Sequence, residues 1–309
     1  MEDSITVIIL GFNDLKWLSK CIDSVLNSSY SNLRVMYVDN ASTDGSVDFV
    51  RNCFPDVEVV SSAVNLGYAA GNNLGIERAM TSASEFFVLL NSDTWVEASW
   101  LERLVKIFRE EPDVGAVTAS IRLYDGNEAD QSYRQILQET PEFILDAVLG
   151  EKKAWYSTGS GSGAALMVSR RFVQKVGGID PLFFMYYEEI DWLRRGRQHG
   201  FKTVVSTDAI VHHFNHLLDP GEKRPAKRRA ERGYFIYLLK EPSEPVIKSV
   251  AKFLLEGPSR IVGAISNRQF KRAWHLIVDF GEILLKLPLV LRRRHSETRL
   301  DVGSRELGL

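Results

Sequence analysis

The chain has 309 residues, of which 45% are hydrophobic, and its formal net charge at pH 7 is −2. This length and composition suffice for one large α/β domain with a helical appendage, and the near-neutral balance excludes a general electrostatic attraction to nucleic acid. The two cysteines, Cys21 and Cys53, fall in helix-like segments. A disulfide framework is therefore not expected, and a reducing cytosol is the favoured compartment.

Neither a secretory leader nor a membrane-spanning segment is indicated. The chain opens with the acidic residues Glu2 and Asp3, and the first strand-like run begins at Ile5. Uninterrupted apolar runs stay below the roughly 18 residues that a spanning helix requires. We expect a cytoplasmic protein, either soluble or attached peripherally to the inner face of the plasma membrane.

Strand-like apolar runs alternate with helix-like segments over the first third of the chain. Strands are predicted at residues 5–10, 34–38, 57–60 and 86–90, and helices at residues 14–27, 45–52, 68–80 and 96–109. This alternation predicts βαβ units with right-handed crossovers, and so an α/β fold with a mostly parallel sheet flanked by helices.

The second half of the chain changes character twice. Further strands are predicted at residues 114–119 and 164–168, and residues 124–157 between them are polar and irregular, as is typical of a lid or acceptor wall. After His216 the pattern becomes that of long helices, which continue to Leu291. We therefore expect a catalytic domain at residues 1–218 and a C-terminal helical region at residues 219–309.

Polar side chains follow two of the predicted strands directly. Asp39, Asn40 and Ser42 come after the second strand, and Asn91 and Asp93 come after the fourth. Open α/β sheets bind ligands at the carboxyl ends of their strands, so these side chains are expected to line one crevice. Asp93 is a candidate metal ligand, whereas Asp39 and Asn40 could hydrogen-bond a nucleoside. The alternative for both loops is ordinary turn and helix-cap chemistry.

Seven blocks of sequence carry a further signal. They are TVIILGFND at 6–14, VDNASTDGS at 38–46, NLGYAAGNNLGIERA at 65–79, LLNSDT at 89–94, GSGAALMVSRR at 161–171, GGIDPLFFMYYEEIDWLRRGRQHGF at 177–201, and AIVHHFNH at 209–216. These blocks resemble, in the same order, those of the family 2 glycosyltransferases, which are inverting, nucleotide-sugar-dependent enzymes with the GT-A fold. The bacterial rhamnosyltransferase-like members that build surface polysaccharides are the most similar in character. The fold class expected from the resemblance is GT-A, a Rossmann-like mixed sheet flanked by helices.

A dinucleotide-binding dehydrogenase is the competing interpretation of the fold. The first predicted strand is followed by GFNDLKW, which lacks the glycine triplet that lets backbone approach a pyrophosphate, and the chain has no Gly-Lys-Ser/Thr phosphate loop. In the resembling family the glycine-rich segment ending at Gly163 lies beside the diphosphate and acceptor, although a flexible loop explains it equally well. Asn65, Gly67, Asn73 and Arg195 complete the residues expected to bind the nucleotide sugar.

Three carboxylates, Glu188, Glu189 and Asp191, form the strongest catalytic cluster. On a helix beginning near Tyr187, Glu188 and Asp191 share a face while Glu189 points about a quarter-turn away. Their mutual repulsion raises at least one pKa unless cations such as Arg195 compensate, and the alternative is an acidic helix start stabilised by the helix dipole. In the resembling family the second acid of this block is the general base, which implies Glu189. The family has Asp there, so Glu188 and Asp191 stay open as alternatives.

Histidines follow the last predicted strand. A lone histidine at a strand end is usually structural, but His212, His213 and His216 form a cluster, and neutral imidazole is a common metal ligand. The family position implies His213 as the ligand, with His212 as the alternate and His216 near phosphate. We expect Asp93 and His213 to hold a divalent cation, Mg²⁺ or Mn²⁺, on the diphosphate of the donor.

The resulting functional prediction is metal-dependent, inverting transfer of a sugar. The donor would be a nucleoside-diphosphate sugar of the dTDP-rhamnose or UDP-sugar type, and the acceptor a glycan or a lipid-linked sugar in surface polysaccharide synthesis. A catalytically inactive sugar-binding relative and a scaffold protein of the same fold are the alternatives.

The C-terminal third contains dense apolar positions at residues 250–255 and 274–291. Basic residues accompany them, namely Lys271, Arg272, Lys286, Arg292, Arg293 and Arg294. Such helices can lie in a membrane interface, pack on the catalytic domain or pair two subunits as a homodimer. The resemblance favours peripheral membrane contact, because related enzymes commonly extend lipid-linked acceptors.

Overall fold

The computed structural model describes residues 2–214 and 223–294, apart from the side chains of residues 223–225. The predicted domain boundary at residue 218 and His216 both lie outside this part of the chain. Within it, one mixed sheet contains nine strands. They are β1 Ile5–Gly11, β2 Leu33–Asp39, β3 Glu58–Ser61, β4 Phe86–Asn91, β5 Thr94–Val96, β6 Val114–Leu123, β7 Trp155–Thr158, β8 Ala165–Ser169 and β9 Lys202–His213.

The strand order is β3-β2-β1-β4-β8-β6-β9-β5, and β7 pairs with β9. Strands β3, β2, β1 and β4 are parallel neighbours, as are β6 and β9, whereas β8 runs antiparallel to both β4 and β6. The prediction of a mostly parallel sheet flanked by helices is therefore confirmed.

The described residues form twelve helices. They are α1 Leu15–Leu26, α2 Ser46–Cys53, α3 Gly67–Met80, α4 Trp100–Glu110, α5 Gln131–Gln138, α6 Pro141–Leu149, α7 Arg170–Val176, α8 Glu188–Gln198, α9 Lys223–Leu239, α10 Val246–Ser266, α11 Phe270–Leu285 and α12 Leu287–Arg292. The first four strands and first three helices agree with the sequence-based bounds to within one residue at each end.

The prediction that residues 124–157 are irregular is wrong, because α5 and α6 lie there. Asp130 caps α5 by accepting a hydrogen bond from the backbone N–H of Ser132 at 2.8 Å, and the helix buries Tyr133 and Ile136, three residues apart on one face. Pro141 opens α6 at the first helical position, where its missing N–H costs nothing. The helix predicted to begin at residue 96 begins at Trp100, since residues 94–96 form β5.

Alternating residues of the sheet build two cores, one on each face. Ile5, Val7 and Ile9 point toward the layer of α1 and α4, whereas Ile8 points toward the layer of α3, α7 and α8. Both faces of the parallel strands are covered, which explains why their sequences read as continuous apolar runs.

The C-terminal helices pack on the segment that precedes α8. Phe183 joins a cluster with Phe235, Leu239 and Phe253 of α9 and α10. Arg294 is buried and donates to the carbonyl of Leu239, so it contributes to this packing. Of the three arginines considered for membrane contact, only Arg292 is exposed, and the packing of Arg294 agrees with the alternative that this region packs on the rest of the protein.

Candidate active site

The carboxyl ends of β2, β1 and β4 meet at one edge of the sheet. Asp39 lies beside Gly11 in the parallel register, and Asn91 lies beside Leu10 on the other side of the same strand. The two polar strand ends recognised in the sequence therefore flank one strand terminus. This is the position at which open α/β sheets bind ligands.

Asp93 and His213 converge at this edge although 120 positions separate them. β5 turns away from the end of β4 and pairs with the end of β9, which brings Thr94 opposite His213. His213 Nε2 lies 3.5 Å from Asp93 Oδ1, and the Asn91 side-chain nitrogen lies 3.4 Å from the same Nε2. Both members of the predicted metal pair are thus adjacent, and Asn91 contacts His213.

Sequence reasoning missed Asp130, which approaches His213 from the other side. Its carboxylate lies 4.0 Å from His213 Nδ1, and its side chain is buried at the start of α5. Burial alone would lower the pKa of His213, but the charges of Asp93 and Asp130 outweigh burial and raise that pKa above the ordinary value. No sequence pattern indicated it, because residues 124–157 were predicted to be irregular.

His212 faces the other side of β9. Its ring stacks on Trp95 at 3.7 Å between centroids, and its Nδ1 lies 3.1 Å from the carbonyl oxygen of Leu123. Because successive side chains of a strand point to opposite faces, His212 and His213 cannot bind the same ion without distorting β9. Of the two histidines predicted as metal ligands, the geometry therefore favours His213 over His212.

The residues present fit a hard or borderline divalent cation. Carboxylate oxygen suits Mg²⁺ and Mn²⁺, and imidazole adds a preference for a transition metal, so Asp93 with His213 favours Mn²⁺. Within residues 2–214 and 223–294, no three His, Cys, Asp or Glu side chains are close enough to share an ion. Asp93 and His213 would therefore supply two ligands to such a cation.

The loop after β2 is ordered by Asp39 and Ser42. The Asp39 carboxylate accepts the backbone N–H of Ser42 at 3.2 and 3.3 Å, and the Ser42 hydroxyl accepts the backbone N–H of Asn13 at 2.9 Å. An ionised carboxylate offers about four acceptor positions, so Asp39 retains capacity for a ligand after the loop is satisfied. This suits the predicted contact with a nucleoside.

Asn40 holds the neighbouring loop in place. Its amide nitrogen donates to Asn65 Oδ1 at 3.2 Å and to the Gly67 carbonyl at 3.0 Å, while its oxygen accepts the Leu66 N–H at 2.8 Å. Both amide hydrogens are used, so Asn40 serves the Asn65–Gly67 turn and has one acceptor position left. Asn65 itself is exposed.

Gly67 and Gly163 each allow another residue to approach the backbone closely. Gly67 has φ of +76°, and a Cβ there would lie 2.5 Å from the carbonyl oxygen of Phe184. A Cβ on Gly163 would lie 2.7 Å from the hydroxyl of Tyr68, which donates to the Gly163 carbonyl. Asn73, further along α3, pairs both its amide groups with the backbone of Ile179 at 2.7 and 2.8 Å.

α8 presents Glu188 and Glu189 at its first turn. Glu188 is buried and Glu189 is half-buried, and one oxygen of each carboxylate has no hydrogen-bond partner among the described residues. Burial raises the pKa of Glu189 to about 7, and burial together with the Glu189 charge raises the pKa of Glu188 well above its ordinary value. A carboxylate poised near neutrality can accept a proton from a substrate hydroxyl.

Asp191 and Arg195 belong to a buried ion cluster. Asp191 accepts hydrogen bonds from Arg194 at 2.7 Å, Arg195 at 3.2 Å and Lys240 at 2.9 Å. Burial would raise the pKa of Asp191, but these three cations lower it, so the group stays ionised and fully paired. Arg195 also donates to the carbonyls of Val176 and Gly178. Both side chains are thus occupied in holding α8.

A strained aromatic segment leads into α8. Phe184, Tyr186 and Tyr187 have φ of +63°, +71° and +73°, a region that costs non-glycine residues on the order of 1–3 kcal/mol each. The Phe184 carbonyl accepts the backbone N–H groups of Tyr68 at 2.6 Å and Ala69 at 3.3 Å. Such strain concentrates at functional sites, and here the strained segment connects the Asn65–Gly67 turn with Glu188 and Glu189.

The fold and this constellation define a GT-A glycosyltransferase. The chain matches the model of the family described as "Glycosyl transferase family 2" over residues 6–177, more than half its length. It belongs to that family. The matched range includes Asp39 and Asp93 and ends before Glu188 and His213.

Curated relatives agree with this assignment. The chain is 26% identical over 244 residues to N-acetylglucosaminyl-diphospho-decaprenol L-rhamnosyltransferase of Mycobacterium tuberculosis, covering 70% of this chain and 78% of that protein. It is 25% identical over 251 residues to the low-salt glycan biosynthesis hexosyltransferase Agl10 of Haloferax volcanii, covering 77% of this chain and 73% of the relative.

A solved structure shows the same fold. The mannosyltransferase PcManGT from Pyrobaculum calidifontis, in complex with GDP-Man and Mn²⁺, superimposes with a TM-score of 0.61 at 19% sequence identity. The match covers 95% of this chain and 84% of that one.

Proposed function

We propose that this glycosyltransferase moves a sugar from a nucleoside-diphosphate sugar to a lipid-linked or glycan acceptor, with inversion and with a divalent metal. The dTDP-rhamnose and UDP-sugar types are the proposed donors. The observation that carries the proposal is the convergence of Asp93 and His213, with a 3.5 Å separation, at the ligand-binding edge of the sheet.

The donor side of the site is built from three elements. Asp39 and the Asn65–Gly67 turn would receive the nucleoside, and Asp93 with His213 would hold Mn²⁺ or Mg²⁺. The cation supplies charge neutralisation for the leaving nucleoside diphosphate. Asn91, which contacts His213, would orient the imidazole.

The acceptor side of the site is supplied by α8. The acceptor hydroxyl would give its proton to Glu189 as its oxygen bonds to the anomeric carbon and the bond from that carbon to the donor phosphate oxygen breaks. Glu189 is the better-placed base because it is half-buried and its pKa is raised to about 7. Asp191 is tied to three cations, and the more deeply buried Glu188 keeps its proton more firmly.

A lipid-linked acceptor is supported by the Mycobacterium tuberculosis relative, because the name of that enzyme specifies a sugar linked through a diphosphate to decaprenol. Exposed apolar side chains on the C-terminal helices support a membrane location for it. Among them are Ile247, Leu254 and Leu255 of α10 and Phe270 and Trp274 of α11, with Lys271 beside Phe270. In the described residues no helix has both the length and the apolar character to cross a bilayer. We therefore propose peripheral contact through this face.

Nucleotide binding tests the central proposal. UDP, dTDP, GDP and CMP would each be added with and without Mn²⁺, and thermal unfolding would be followed. A ligand at about 100 times its dissociation constant adds about 2.7 kcal/mol of stability. A metal-dependent shift with one nucleotide, followed by turnover of the matching nucleotide sugar, would support the enzyme. A shift without turnover of any sugar would indicate a binding protein, and no shift would reject both.

Vesicle binding tests the membrane contact. Leu255→Ser with Trp274→Ser should weaken sedimentation with anionic vesicles, whereas Val148→Ser with Leu149→Ser, which alters exposed apolar residues of α6, should not. If the wild type does not bind vesicles at low salt, and if it forms a dimer that the Leu255→Ser and Trp274→Ser changes dissociate, this surface would be a subunit interface and not a membrane-contact surface.

A further inference from the structure

A large cleft opens between α9, α11 and the segment at residues 181–184. Its volume is about 1210 Å³, and eight lysine or arginine side chains line it against three carboxylates. The whole chain, in contrast, carries a formal net charge of −2. The cleft is therefore a local concentration of positive charge that the overall composition does not reveal.

All three carboxylates of the cleft are already paired. Asp279 binds Arg228 through both oxygens, at 2.7 and 2.9 Å. Glu282 binds Lys286 at 2.6 Å and Arg232 at 3.3 Å. Glu231 pairs with Arg272. The acidic side chains thus position part of the basic lining and have no capacity to neutralise the rest.

Four further cations remain in the cleft. Lys227, Arg229, Arg268 and Lys271 make no ion pair with any carboxylate in the described part of the chain, and all four are exposed to solvent. Cations held close together repel one another, so a ligand with several negative charges relieves the repulsion and gains charge-assisted hydrogen bonds. A diphosphate has this charge and these acceptors.

The cleft adjoins the segment that leads from Phe184 to the proposed catalytic residues of α8. Phe184 lines it, and the Arg229 guanidinium lies 5.9 Å from the Phe184 ring. The carbonyl of the same Phe184 is bound by the first backbone N–H groups of α3, beside the nucleotide loop. Four residues later the chain reaches Glu188. An anion in the cleft would therefore be anchored next to the side of the site from which a hydroxyl attacks.

An apolar surface continues from the mouth of the cleft. Phe270 lines the cleft and is 66% exposed, and Trp274, one turn further along α11, is 63% exposed. Exposed Ile277 and Val278 follow on the next turn. The combination matches an amphiphile that carries a multiply charged head and a hydrocarbon chain.

We propose that this cleft binds the diphosphate of a lipid-linked sugar acceptor, with the lipid chain leaving across α11. The inference rests on the proposed function and specifies its acceptor. In a monosaccharide diphospholipid one sugar ring separates the diphosphate from the attacking hydroxyl, so the anchored diphosphate would fix that hydroxyl near Glu189.

The test compares two doubly substituted proteins. Arg229→Gln with Lys271→Gln removes two unpaired cations of the cleft, and Arg51→Gln with Lys175→Gln removes two exposed cations that do not line it. Binding would be measured to phosphatidylcholine vesicles that carry a prenyl-diphosphate-linked N-acetylglucosamine, and separately to vesicles with phosphatidylglycerol. Inorganic pyrophosphate would serve as a soluble competitor.

The cleft variant should bind the diphospholipid vesicles at least about 10-fold more weakly, while the control pair binds as the wild type does. Pyrophosphate should compete with the wild type. Equal binding by the cleft variant would overturn the proposal, as would an equal loss on phosphatidylglycerol vesicles, which would indicate a general anionic-lipid surface. Diphospholipid binding that depends on the cleft in a protein without sugar transfer would uphold the cleft and reject the proposed function. Mn²⁺-dependent nucleotide binding by the cleft variant would show that its donor site is intact.

Discussion

The ammonium of Lys240, the residue that directly follows α9, lies 2.9 Å from a carboxylate oxygen of Asp191 on α8, and both side chains are fully buried. The same ammonium lies 2.6 Å from Asp180, which also accepts a hydrogen bond from Arg293 at 2.8 Å. A cation from the C-terminal region thus contacts Asp191, which lies two residues after the proposed base Glu189 on α8. The orientation of α8 depends on both halves of the chain.

Replacing Lys240 with Met should destabilise the protein by about 3 kcal/mol, because a buried carboxylate pair loses one of its counter-ions. Urea unfolding measures the change. Lys248→Met removes an exposed cation that pairs with Glu244, and it should cost less than about 1 kcal/mol. Similar costs for the two variants would mean that Arg194, Arg195 and Arg293 suffice to neutralise the cluster.

Glu189→Gln should reduce turnover by at least about 100-fold while donor affinity stays nearly constant, since an amide of the same shape cannot accept the acceptor proton. Steady-state kinetics with varied donor measures both quantities. Glu188→Gln should retain more activity. The reverse order would assign the base to Glu188.

The free energy of unfolding should fall as pH rises from about 4.5 to about 7, because burial raises the pKa of Glu189 across that interval and the folded state binds the proton more tightly than the unfolded state does. The Glu188 carboxyl acts in the same direction. Glu189→Gln should therefore be more stable than the wild type at pH 8, with a smaller difference at pH 4.5. Denaturation of both metal-free proteins at the two pH values provides the measurement. A constant difference would show that Glu189 titrates normally.

His213→Gln should abolish the Mn²⁺-dependent stabilisation by nucleotide, whereas His212→Gln should preserve it, because the two rings lie on opposite faces of β9. Asp93→Asn should behave as His213→Gln does. Isothermal titration with Mn²⁺ and the nucleotide separates the outcomes. Loss of metal binding in the His212 variant alone would move the site to the Trp95 face.

The sequence contained enough information for the parallel part of the sheet and for the residues at its edge. The ends of β2 and β4 carry Asp39 and Asp93, and parallel strands necessarily bring such residues to one side. Local periodicity and strand polarity determine that relationship, so no long-range contact needed to be known.

Other features depended on contacts that no local pattern encodes. Asp130 lies in a segment predicted to be irregular, but it caps α5, and its approach to His213 arises from the pairing of β6 with β9. Arg195 and Asp191 were predicted as site residues because their charges lie close in sequence to Glu188 and Glu189. Their buried partner Lys240 lies 49 residues after Asp191 and could not be assigned to them in advance.

Gly233 of α9 lies against the carbonyl of Tyr186, and a Cβ at that position would collide with the backbone of the segment that leads into α8. The surfaces of α9 and of the segment before α8 are therefore complementary to each other. The C-terminal helices could be exchanged between family members in order to transfer acceptor preference. We expect such an exchange to succeed only when residues 180–191 are exchanged together with the helices. A chimaera joined near residue 218 would combine mismatched surfaces beside the proposed base, Glu189.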